Sequence, residues 1–283
     1  MDDTVILRFL YKTVPGRILL KLLVRPEISR LAGRFLSTRP SSLLIPFFIR
    51  KNRISLQDIE IPEGGFPSFN AFFSRKRKTP LPEGTEQHLI SPCDGLLTIA
   101  DIREDMIFQI KGTQFSLQSL LKSRKLSERF LGGTALIFRL TPAHYHRYCY
   151  AVKGKILRTK KIPGKLHCVR PIAIRACPVF TENAREYVLI RSASFGAVLQ
   201  MEIGALLVGR IHNPGPAARG VSVFAGEEKG CFEFGGSTIL LLCEKGRIAL
   251  KRKLVEGKNG SAEIPVKIGE FLARKVRNCH KIT

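Results

Sequence analysis

The spacing of hydrophobic and polar residues changes along the chain and divides the sequence into two regions. In the first 53 residues, short apolar clusters such as 18–20 and 43–45 are interrupted by Arg and Lys. Four prolines break these clusters, at Pro15, Pro26, Pro40 and Pro46. Apolar clusters with interposed cations are typical of short amphipathic helices that lie in a membrane interface. We therefore expect amphipathic, interfacial helices at the N-terminus.

From about residue 91 onward, short runs rich in Val, Ile and Leu are separated by turns that contain glycine. The predicted strands are 134–140, 187–190, 197–208, 221–224, 237–242 and 247–250. The leucine spacing in residues 113–131 predicts a helix within this region. Many short strands with turn signals are typical of a sandwich or a barrel. The expected fold class is therefore α+β and β-rich, with a barrel-like or sandwich-like catalytic body.

These two patterns predict two domains. Residues 1–60 form a basic, amphipathic helical region that associates with a membrane, and residues 61–283 form the β-rich catalytic domain. The basic and apolar clusters occupy the first 53 residues, and the strand pattern begins at about residue 91.

The charge of the chain predicts an anionic partner. Its 47 Lys and Arg residues exceed its 23 Asp and Glu residues and give a formal net charge of +24. Such a charge attracts nucleic acid or a membrane with acidic lipids, and charge alone does not distinguish them. No uncharged apolar run approaches the roughly 18–20 residues that span a bilayer, so we expect the protein to lie on a membrane. Alternatively, the N-terminal helices pack on the main body with solvated charges.

The cysteines indicate a reducing compartment. There are seven of them, an odd number, and no two form a CxxC pair. A disulfide framework or a ribbon-type zinc site is therefore not expected. The N-terminus opens Met1-Asp2-Asp3 and lacks the charged segment of a secretory signal.

The segment FGGST at residues 234–238 precedes the apolar run 239–242 and carries the most distinctive chemistry. A serine that directly follows glycines, at the start of a strand, can attack its own backbone, because glycine permits the close approach and the unusual dihedrals that the attack needs. The alternative is a Gly-Gly turn in which Ser237 simply begins a core strand.

Two further segments contain candidate catalytic groups. Asp94 lies in the turn SPCDG at residues 91–95, although an Asp-Gly turn alone is commonly structural. His144 and His146 stand two positions apart, so an extended chain would project both to one face. A zinc site of these two histidines with Cys149 and His167 is conceivable, because imidazole and thiolate are zinc ligands, but the spacing fits no zinc pattern.

Six segments together resemble one family, the pyruvoyl-dependent phosphatidylserine decarboxylases. They occur in the family's order, and each is weak alone. The resemblance as a whole extends from about residue 11 to near residue 269. The matching segments are 69–75 (FNAFFSR), 91–95 (SPCDG), 145–147 (YHR), 183–186 (NARE), 204–209 (GALLVG) and 234–238 (FGGST). The family's last motif usually reads Leu-Gly-Ser-Thr, so Gly235 departs from it while Gly236 and Ser237 keep the Gly-Ser bond.

The resemblance implies that the chain cleaves itself. The Ser237 hydroxyl attacks the preceding carbonyl, and elimination then breaks the chain between Gly236 and Ser237. The products are a β chain, residues 1–236, and an α chain, residues 237–283, whose first residue becomes a pyruvoyl group. A serine hydroxyl needs a nearby base for such an attack, and the family assigns part of that task to the aspartate that matches Asp94.

The resemblance also implies the reaction. The pyruvoyl group is the expected cofactor, and no metal is expected. It forms a Schiff base with the amine of phosphatidylserine, so that carbon dioxide leaves and phosphatidylethanolamine remains. By its position in the YHR segment, His146 is expected to handle the proton and to position the substrate.

One position departs from the family with a consequence for the site. Family members often have a second histidine three positions after His146, which joins the aspartate and the serine in self-cleavage, and here that position is Cys149. Either Arg147 and its surroundings shift Cys149 toward the thiolate, or His144 or His167 replaces the missing histidine. The shared face with His146 favours His144.

The resemblance further implies a bacterial enzyme on the cytoplasmic side of the cell membrane, in which the cleaved chains stay associated and form a homodimer. One alternative is a non-enzymatic basic protein that binds membranes or nucleic acid, although no helix-turn-helix, aromatic RNA-binding signature or finger spacing is present. Another is a decarboxylase relative that has lost self-processing because of Cys149. We expect the decarboxylase, with no nucleic-acid partner.

Overall fold

The computed structural model describes residues 5–81, 85–110, 113–206, 210–235, 237–258 and 263–276. The protein is a mixture of helices and strands and is rich in sheet. The α+β class predicted from the sequence is therefore confirmed.

Short helices occupy the N-terminal region. They are α1 (Val5–Lys12), α2 (Val14–Leu23), α3 (Pro26–Leu36), a 3₁₀ helix (Arg39–Leu44) and α4 (Ile45–Asn52). The prolines of this region lie in the first turns of the helices that follow them. Proline is favoured there because the first helical N–H groups have no partner within the helix. The prolines therefore begin the helices as well as separating them.

The remaining elements are mostly strands. The helices are α5 (Phe69–Phe73), α6 (Leu117–Leu121), α7 (Arg124–Glu128), α8 (Pro171–Ala176), α9 (Val179–Glu182) and α10 (Arg252–Lys258). The strands are β1 (His88–Ile90), β2 (Gly95–Asp101), β3 (Ile107–Ile110), β4 (Thr113–Ser116), β5 (Thr134–Leu140), β6 (Arg147–Cys149), β7 (Gly154–Ile162), β8 (Arg185–Ser192), β9 (Gly196–Ile203), β10 (Ile211–His212), β11 (Ser222–Val223), β12 (Glu228–Phe232), β13 (Ser237–Cys243), β14 (Ile248–Leu250), β15 (Ile264–Val266) and β16 (Phe271–Lys275).

The centre of the fold is an eight-stranded antiparallel sheet. Its strand order is β11-β7-β8-β9-β13-β5-β2-β15. All seven residues of β13 are buried, because the strand lies between β9 and β5 and is covered on both faces. Two three-stranded sheets, β1-β16-β14 and β10-β12-β6, and the hairpin β3-β4 complete the set. Within the described residues no sheet closes on itself, so the barrel alternative is wrong.

The predicted strands agree with the structure better than the predicted internal helix does. Strand β5 has the predicted bounds 134–140, and β13 extends the predicted 237–242 by one residue. The predicted helix 113–131 is wrong as a single element, because residues 113–116 form β4 and two short helices follow. The capping serines Ser116 and Ser123, whose side chains accept from backbone N–H groups, begin these two helices.

The N-terminal helices pack against the main body through one face. Leu7, Leu10 and Tyr11 join the large hydrophobic core beneath the central sheet, and the Tyr11 hydroxyl accepts a hydrogen bond from the Cys168 backbone N–H at 3.0 Å. In the described part of the chain, no helix is long and apolar enough to cross a bilayer.

Candidate active site

The strand register brings two residues predicted to act in self-cleavage, Asp94 and Ser237, to one end of the central sheet. Ser237 begins β13 and pairs with Leu140, the last residue of β5. Asp94 immediately precedes β2, which pairs with β5 from Leu96 opposite Arg139. Because the three strands are neighbours and antiparallel, Asp94 and Ser237 lie at the same end of the sheet.

Ser237 has the environment of a reactive group. Its side chain is fully buried, and its hydroxyl has no hydrogen-bond partner among the described residues. A buried hydroxyl without a partner is costly and is uncommon in folded proteins. Two residues earlier, Gly235 has a φ of +141°, a conformation that favours glycine. Gly236, the other residue of the predicted cleavage site, lies outside the described residues.

Helix α5 holds the segment that leads to Ser237. The side-chain oxygen of Asn70 accepts a hydrogen bond from the Phe234 N–H at 3.2 Å. The amide nitrogen of Asn70 donates to the carbonyl of Gly33 and to the hydroxyl of Ser37, each at 3.0 Å. The ring of Phe234 packs edge-on against Phe69 and Phe73. One asparagine thus joins α3, α5 and the segment before Ser237.

Asp94 is held in place by two groups on one loop. Its Oδ1 accepts a hydrogen bond from the Ile268 N–H at 2.9 Å, and its Oδ2 lies 3.5 Å from the Lys267 ammonium. The residue is 8% exposed. The carboxylate is therefore almost fully buried and is held by the Ile268 N–H and the Lys267 ammonium.

His146 is fully buried beside helix α5. Its ring lies 3.9 Å from the Phe73 ring, centroid to centroid, and its backbone carbonyl accepts from the Phe232 N–H. Nδ1 lies 2.9 Å from the His144 carbonyl, and Nε2 has no partner among the described residues. Because a carbonyl only accepts, Nδ1 carries the hydrogen and Nε2 has a free lone pair.

The electrostatic surroundings of His146 keep it neutral. Burial lowers its pKa from 6.5 to about 3, and the positive charge of Arg75 acts in the same direction. Arg75 is itself buried, and its guanidinium lies over the Phe72 ring at 4.9 Å.

His144 has the opposite hydrogen-bonding arrangement. It lies in the turn after β5, not on a strand, so the predicted shared strand face with His146 is wrong. Its Nδ1 accepts a hydrogen bond from the Thr141 N–H at 3.0 Å. Burial lowers the pKa of His144, and the negative charge of Asp94 opposes that change. The neutral ring therefore carries its hydrogen on Nε2.

Cys149 lies in β6 and is inaccessible to solvent. Its Sγ lies 3.8 Å from the Ser91 carbonyl, and burial raises the pKa of the thiol to about 12. Arg147 donates instead to the Ser74 carbonyl and to Glu228. A thiolate at Cys149 is thus disfavoured, because among the described residues no cation offsets the burial of its charge.

His167 lies in the loop between β7 and α8. Its backbone N–H donates to Asn183, and its Nε2 lies 3.3 Å from Glu182. Burial lowers the pKa of His167. Within the described residues no three His, Cys, Asp or Glu side chains are grouped so that they could hold a metal ion, so the structure does not bring the four residues of the zinc alternative together.

Three functional candidates escaped the sequence interpretation. Asn70 and Arg75 belong to the FNAFFSR segment, which contributed to the resemblance but was given no chemical role. The third is a buried ion pair, Lys229 with Glu202 at 2.5 Å. Glu202 pairs with Ile239, two residues from Ser237 on the same face of β13. No local pattern marks that pair, because its members lie on different strands.

The chain is similar in sequence to known proteins over most of its length. The family model for phosphatidylserine decarboxylase matches residues 69–274. The phosphatidylserine decarboxylase proenzyme 2 of Clostridium acetobutylicum is 39% identical over 272 residues, covering 93% of this chain and 90% of the relative. The corresponding proenzyme of Ruminiclostridium cellulolyticum is 38% identical, with 94% and 90% covered. That of Fusobacterium nucleatum is 34% identical, with 93% and 89% covered.

Proposed function

The chain belongs to the phosphatidylserine decarboxylase family, and we propose that it converts phosphatidylserine to phosphatidylethanolamine and carbon dioxide after cleaving itself. Family membership makes it a lyase. The observation that carries the self-cleavage is the buried hydroxyl of Ser237, which has no partner among the described residues and lies two positions after Gly235, whose φ is positive.

The cleavage uses atoms of this chain alone until its last step. The Ser237 Oγ forms a bond to the Gly236 carbonyl carbon, and the peptide C–N bond breaks, which leaves an ester. Removal of the Cα hydrogen of residue 237 then breaks the Cβ–Oγ bond and separates the chains. One water enters and one ammonia leaves as residue 237 becomes a pyruvoyl group. Confinement of the hydroxyl next to its target raises the effective concentration of the nucleophile.

Asp94, His144 and Cys149 have different roles in the self-cleavage that we propose. We assign the Asp94 carboxylate to the removal of the Ser237 proton, because it is fixed at the same sheet end. His144 is the stronger candidate to replace the missing histidine, since it is close enough to Asp94 for the carboxylate to affect its pKa. In this assignment its Nε2–H donates a hydrogen bond. Cys149 takes no acid–base part, because its thiol stays protonated.

A pyruvoyl group fits position 237, which is fully buried and whose hydroxyl has no hydrogen-bond partner among the described residues. When present, it supplies an electrophilic carbonyl for the substrate amine and a sink for the electrons released with carbon dioxide. We assign His146 to position the substrate amine and to handle the proton that reaches the carbon losing its carboxylate, because its Nε2 lone pair is free to accept a hydrogen bond. Binding of the anionic substrate opposes the burial that otherwise keeps the ring neutral. Phe73 and the buried surroundings exclude water from this exchange.

We also propose that residues 1–60 dock the catalytic region 61–283 on an anionic membrane. Large apolar side chains are exposed on the N-terminal helices, at Val5, Ile6, Phe9, Val14, Ile18, Leu19, Leu22, Leu31, Phe35, Leu43, Leu44 and Phe47. An apolar surface of this extent among basic residues is typical of an interfacial segment. The substrate is an anionic lipid, so its membrane has the complementary charge. The homodimer and the cytoplasmic location remain predictions.

Denaturing electrophoresis and intact mass of the purified protein test the proposal. We expect a fragment of residues 237–283, about a sixth of the 31.7 kDa chain, with a pyruvoyl N-terminus. Ser237→Ala removes the nucleophile and should leave only the full-length chain, whereas Thr238→Ala, which removes the neighbouring hydroxyl, should still cleave. A wild-type chain that stays intact would contradict self-cleavage. In that case, cleavage restored by Cys149→His would identify a relative that has lost processing.

A further inference from the structure

A basic groove runs beneath α3. It consists of two adjoining open cavities of about 510 Å³ and about 560 Å³. Both cavities are lined by Arg30 of α3 and by Arg210, and the second is also lined by Arg34. Because they share two arginines, they form one continuous groove between α3 and the body of the protein.

The groove lies at the end of the central sheet where Ser237 lies. Its first cavity is bordered by Ala184 and Gly204, the residues just before β8 and just after β9. The Gly204 N–H donates to the Ala184 carbonyl at 2.9 Å, which continues the pairing of those strands. Since β9 is the neighbour of β13, and its last residue, Ile203, pairs with Thr238, the border of the groove is one strand away from Ser237.

The second cavity reaches the segment that precedes Ser237. The Arg210 carbonyl accepts a hydrogen bond from the Glu233 N–H at 3.0 Å. The next residue, Phe234, is held by Asn70, whose amide nitrogen also binds the Gly33 carbonyl in the wall of the cavity. The groove therefore leads from the surface beside α3 to the site of the chemistry.

The charges along the groove are predominantly positive. Arg30 pairs with Glu27 at 2.7 Å, but both side chains are about two-thirds exposed, at 64% and 66%. Within the described residues, neither Arg34 nor Arg210 has a carboxylate within salt-bridge distance. The second cavity is lined by three arginines and one acid, Glu233, and the first by four cations and two acids, Glu27 and Glu186. Two guanidinium groups are thus available to an anion, and guanidinium is well suited to bind phosphate through paired hydrogen bonds.

Helix α3 places two arginines of the groove beside an apolar stripe. Arg30 and Arg34 are four residues apart and share one face of the helix. Leu31 and Phe35 form the adjacent stripe and are 65% and 58% exposed. The opposite face, which includes Gly33, is buried against the body. A phospholipid could therefore place its acyl chains along Leu31 and Phe35 and its phosphate in the groove.

We propose that Arg34 and Arg210 bind the phosphodiester of the aminophospholipid substrate and thereby position its serine headgroup toward residue 237. This inference rests on the proposed decarboxylase function and adds the groups that recognise the substrate. In the substrate, the amino-bearing carbon is separated from the phosphorus by one carbon and one oxygen. The long arginine side chains at the groove can hold the phosphate while the amine reaches the sheet end.

The test measures binding of dihexanoyl phosphatidylserine below its micelle concentration, so that no membrane surface contributes. Borohydride first reduces the pyruvoyl carbonyl, and the self-cleaved enzyme then binds without reacting. Equilibrium dialysis should show Kd raised about tenfold or more by Arg34→Gln and by Arg210→Gln, because each loses a charge-assisted hydrogen bond. The matched control is Arg219→Gln, an exposed arginine in the turn that pairs with the start of β7, at the opposite sheet end. Its Kd should stay within about twofold of the wild-type value.

Two further arms separate phosphate recognition from other effects. Cyanoborohydride capture of O-methylserine, which has no phosphate, by unreduced enzyme should proceed equally in the wild type and in both groove variants. Inorganic phosphate should compete with the lipid at least tenfold more weakly than a second short-chain phosphatidylserine. Equal losses for O-methylserine, equal competition by inorganic phosphate, or groove variants that match Arg219→Gln would overturn the inference. An intact or inactive wild-type chain would instead refute the proposed function.

Discussion

Two histidines in the site are both neutral, but their hydrogen-bonding roles are opposite. His146 donates through Nδ1 to the His144 carbonyl and leaves Nε2 as an acceptor. His144 accepts at Nδ1 from Thr141 and leaves Nε2 as a donor. The backbone groups that surround each ring select these tautomers. A hydrogen-bond acceptor and a hydrogen-bond donor therefore arise from residues two positions apart.

The thiol of Cys149 should be dispensable for self-cleavage. Cys149→Ser keeps a neutral group of similar size, so timed electrophoresis after synthesis should show a cleavage half-time within roughly threefold of the wild type. Cys231→Ser, at another buried cysteine in β12, is the matched control. Persistence of full-length chain in Cys149→Ser alone would show that the thiol takes part. Cys149→His is expected to destabilise the fold by about 1–3 kcal/mol, because the site is already filled.

His146 should make the fold sensitive to acid. Its pKa is 6.5 in an ordinary environment and about 3 in the folded protein, so between these values the unfolded chain binds a proton that the folded chain does not. The free energy of unfolding therefore falls as the pH falls through this window. From linkage, His146 alone should account for about 2 kcal/mol between pH 7 and pH 5.

Urea unfolding of the uncleaved Ser237→Ala chain measures this effect. Adding His146→Gln should reduce the difference in unfolding free energy between pH 7 and pH 5, because Gln does not titrate. Adding His212→Gln, at an exposed position in β10, should leave that difference unchanged. An undiminished difference in the His146→Gln chain would mean that other groups cause the acid sensitivity.

At the scale of elements, the cleavage site depends on a short helix far from it in sequence. Helix α5 places Asn70 between the Phe234 N–H and two acceptors at the C-terminal end of α3. Strand β13 pairs with β5 over seven residues from Ser237 and with β9 over six residues from Thr238, so the strand holds the backbone of Ser237 in register. The segment just before it is therefore positioned mainly by side chains.

Asn70→Ala should slow self-cleavage by about tenfold. It removes the acceptor of the Phe234 N–H and two donors to α3, and each hydrogen bond contributes about 0.5–1.5 kcal/mol. Asn52→Ala is the matched control, because the Asn52 side chain donates to the Phe48 carbonyl within its own helix, α4. Pulse–chase electrophoresis gives both rates. Equal rates in the two variants would show that Asn70 does not position the segment.

At the scale of the whole molecule, the exposed apolar side chains and the catalytic end of the sheet meet at α3. The outer stripe of this helix is apolar, its adjacent stripe is basic, and its buried face contacts α5. A protein that docks through this surface would face the lipid headgroups with the groove. In that proposed arrangement the substrate would reach residue 237 without leaving the membrane.

Charged substitutions on the N-terminal surface should weaken membrane binding. Leu43 and Phe47 are 82% and 65% exposed, and burying such side chains in lipid contributes about 1.5–3 kcal/mol each. The double variant Leu43→Glu and Phe47→Glu should therefore sediment with phosphatidylserine vesicles at least tenfold less strongly than the wild type. Val255→Glu, at an exposed apolar position in α10, is the control. If both proteins bind equally, another surface docks on the membrane.

The sequence alone predicted those features that depend on local pattern. The apolar run after Gly236 predicted β13, the strand bounds 134–140 were correct, and the ordered segments indicated the family. These predictions are correct because the periodicity of strands and the backbone preferences of glycine and proline act locally, at the positions where those residues stand. The helix expected over 113–131 failed because two serine caps and a strand pairing with β3 divide that segment.

The tertiary structure decided everything that depends on a partner distant in sequence. Burial raises the pKa of Cys149, whereas the sequence left a thiolate open. The roles of the two histidine rings follow from backbone groups in a turn that the sequence had suggested as strand. Arg34 and Arg210 line the same cavity although 176 positions separate them in the chain. Charge state, tautomer and groove arise from packing, because each is set by the groups that folding brings into contact.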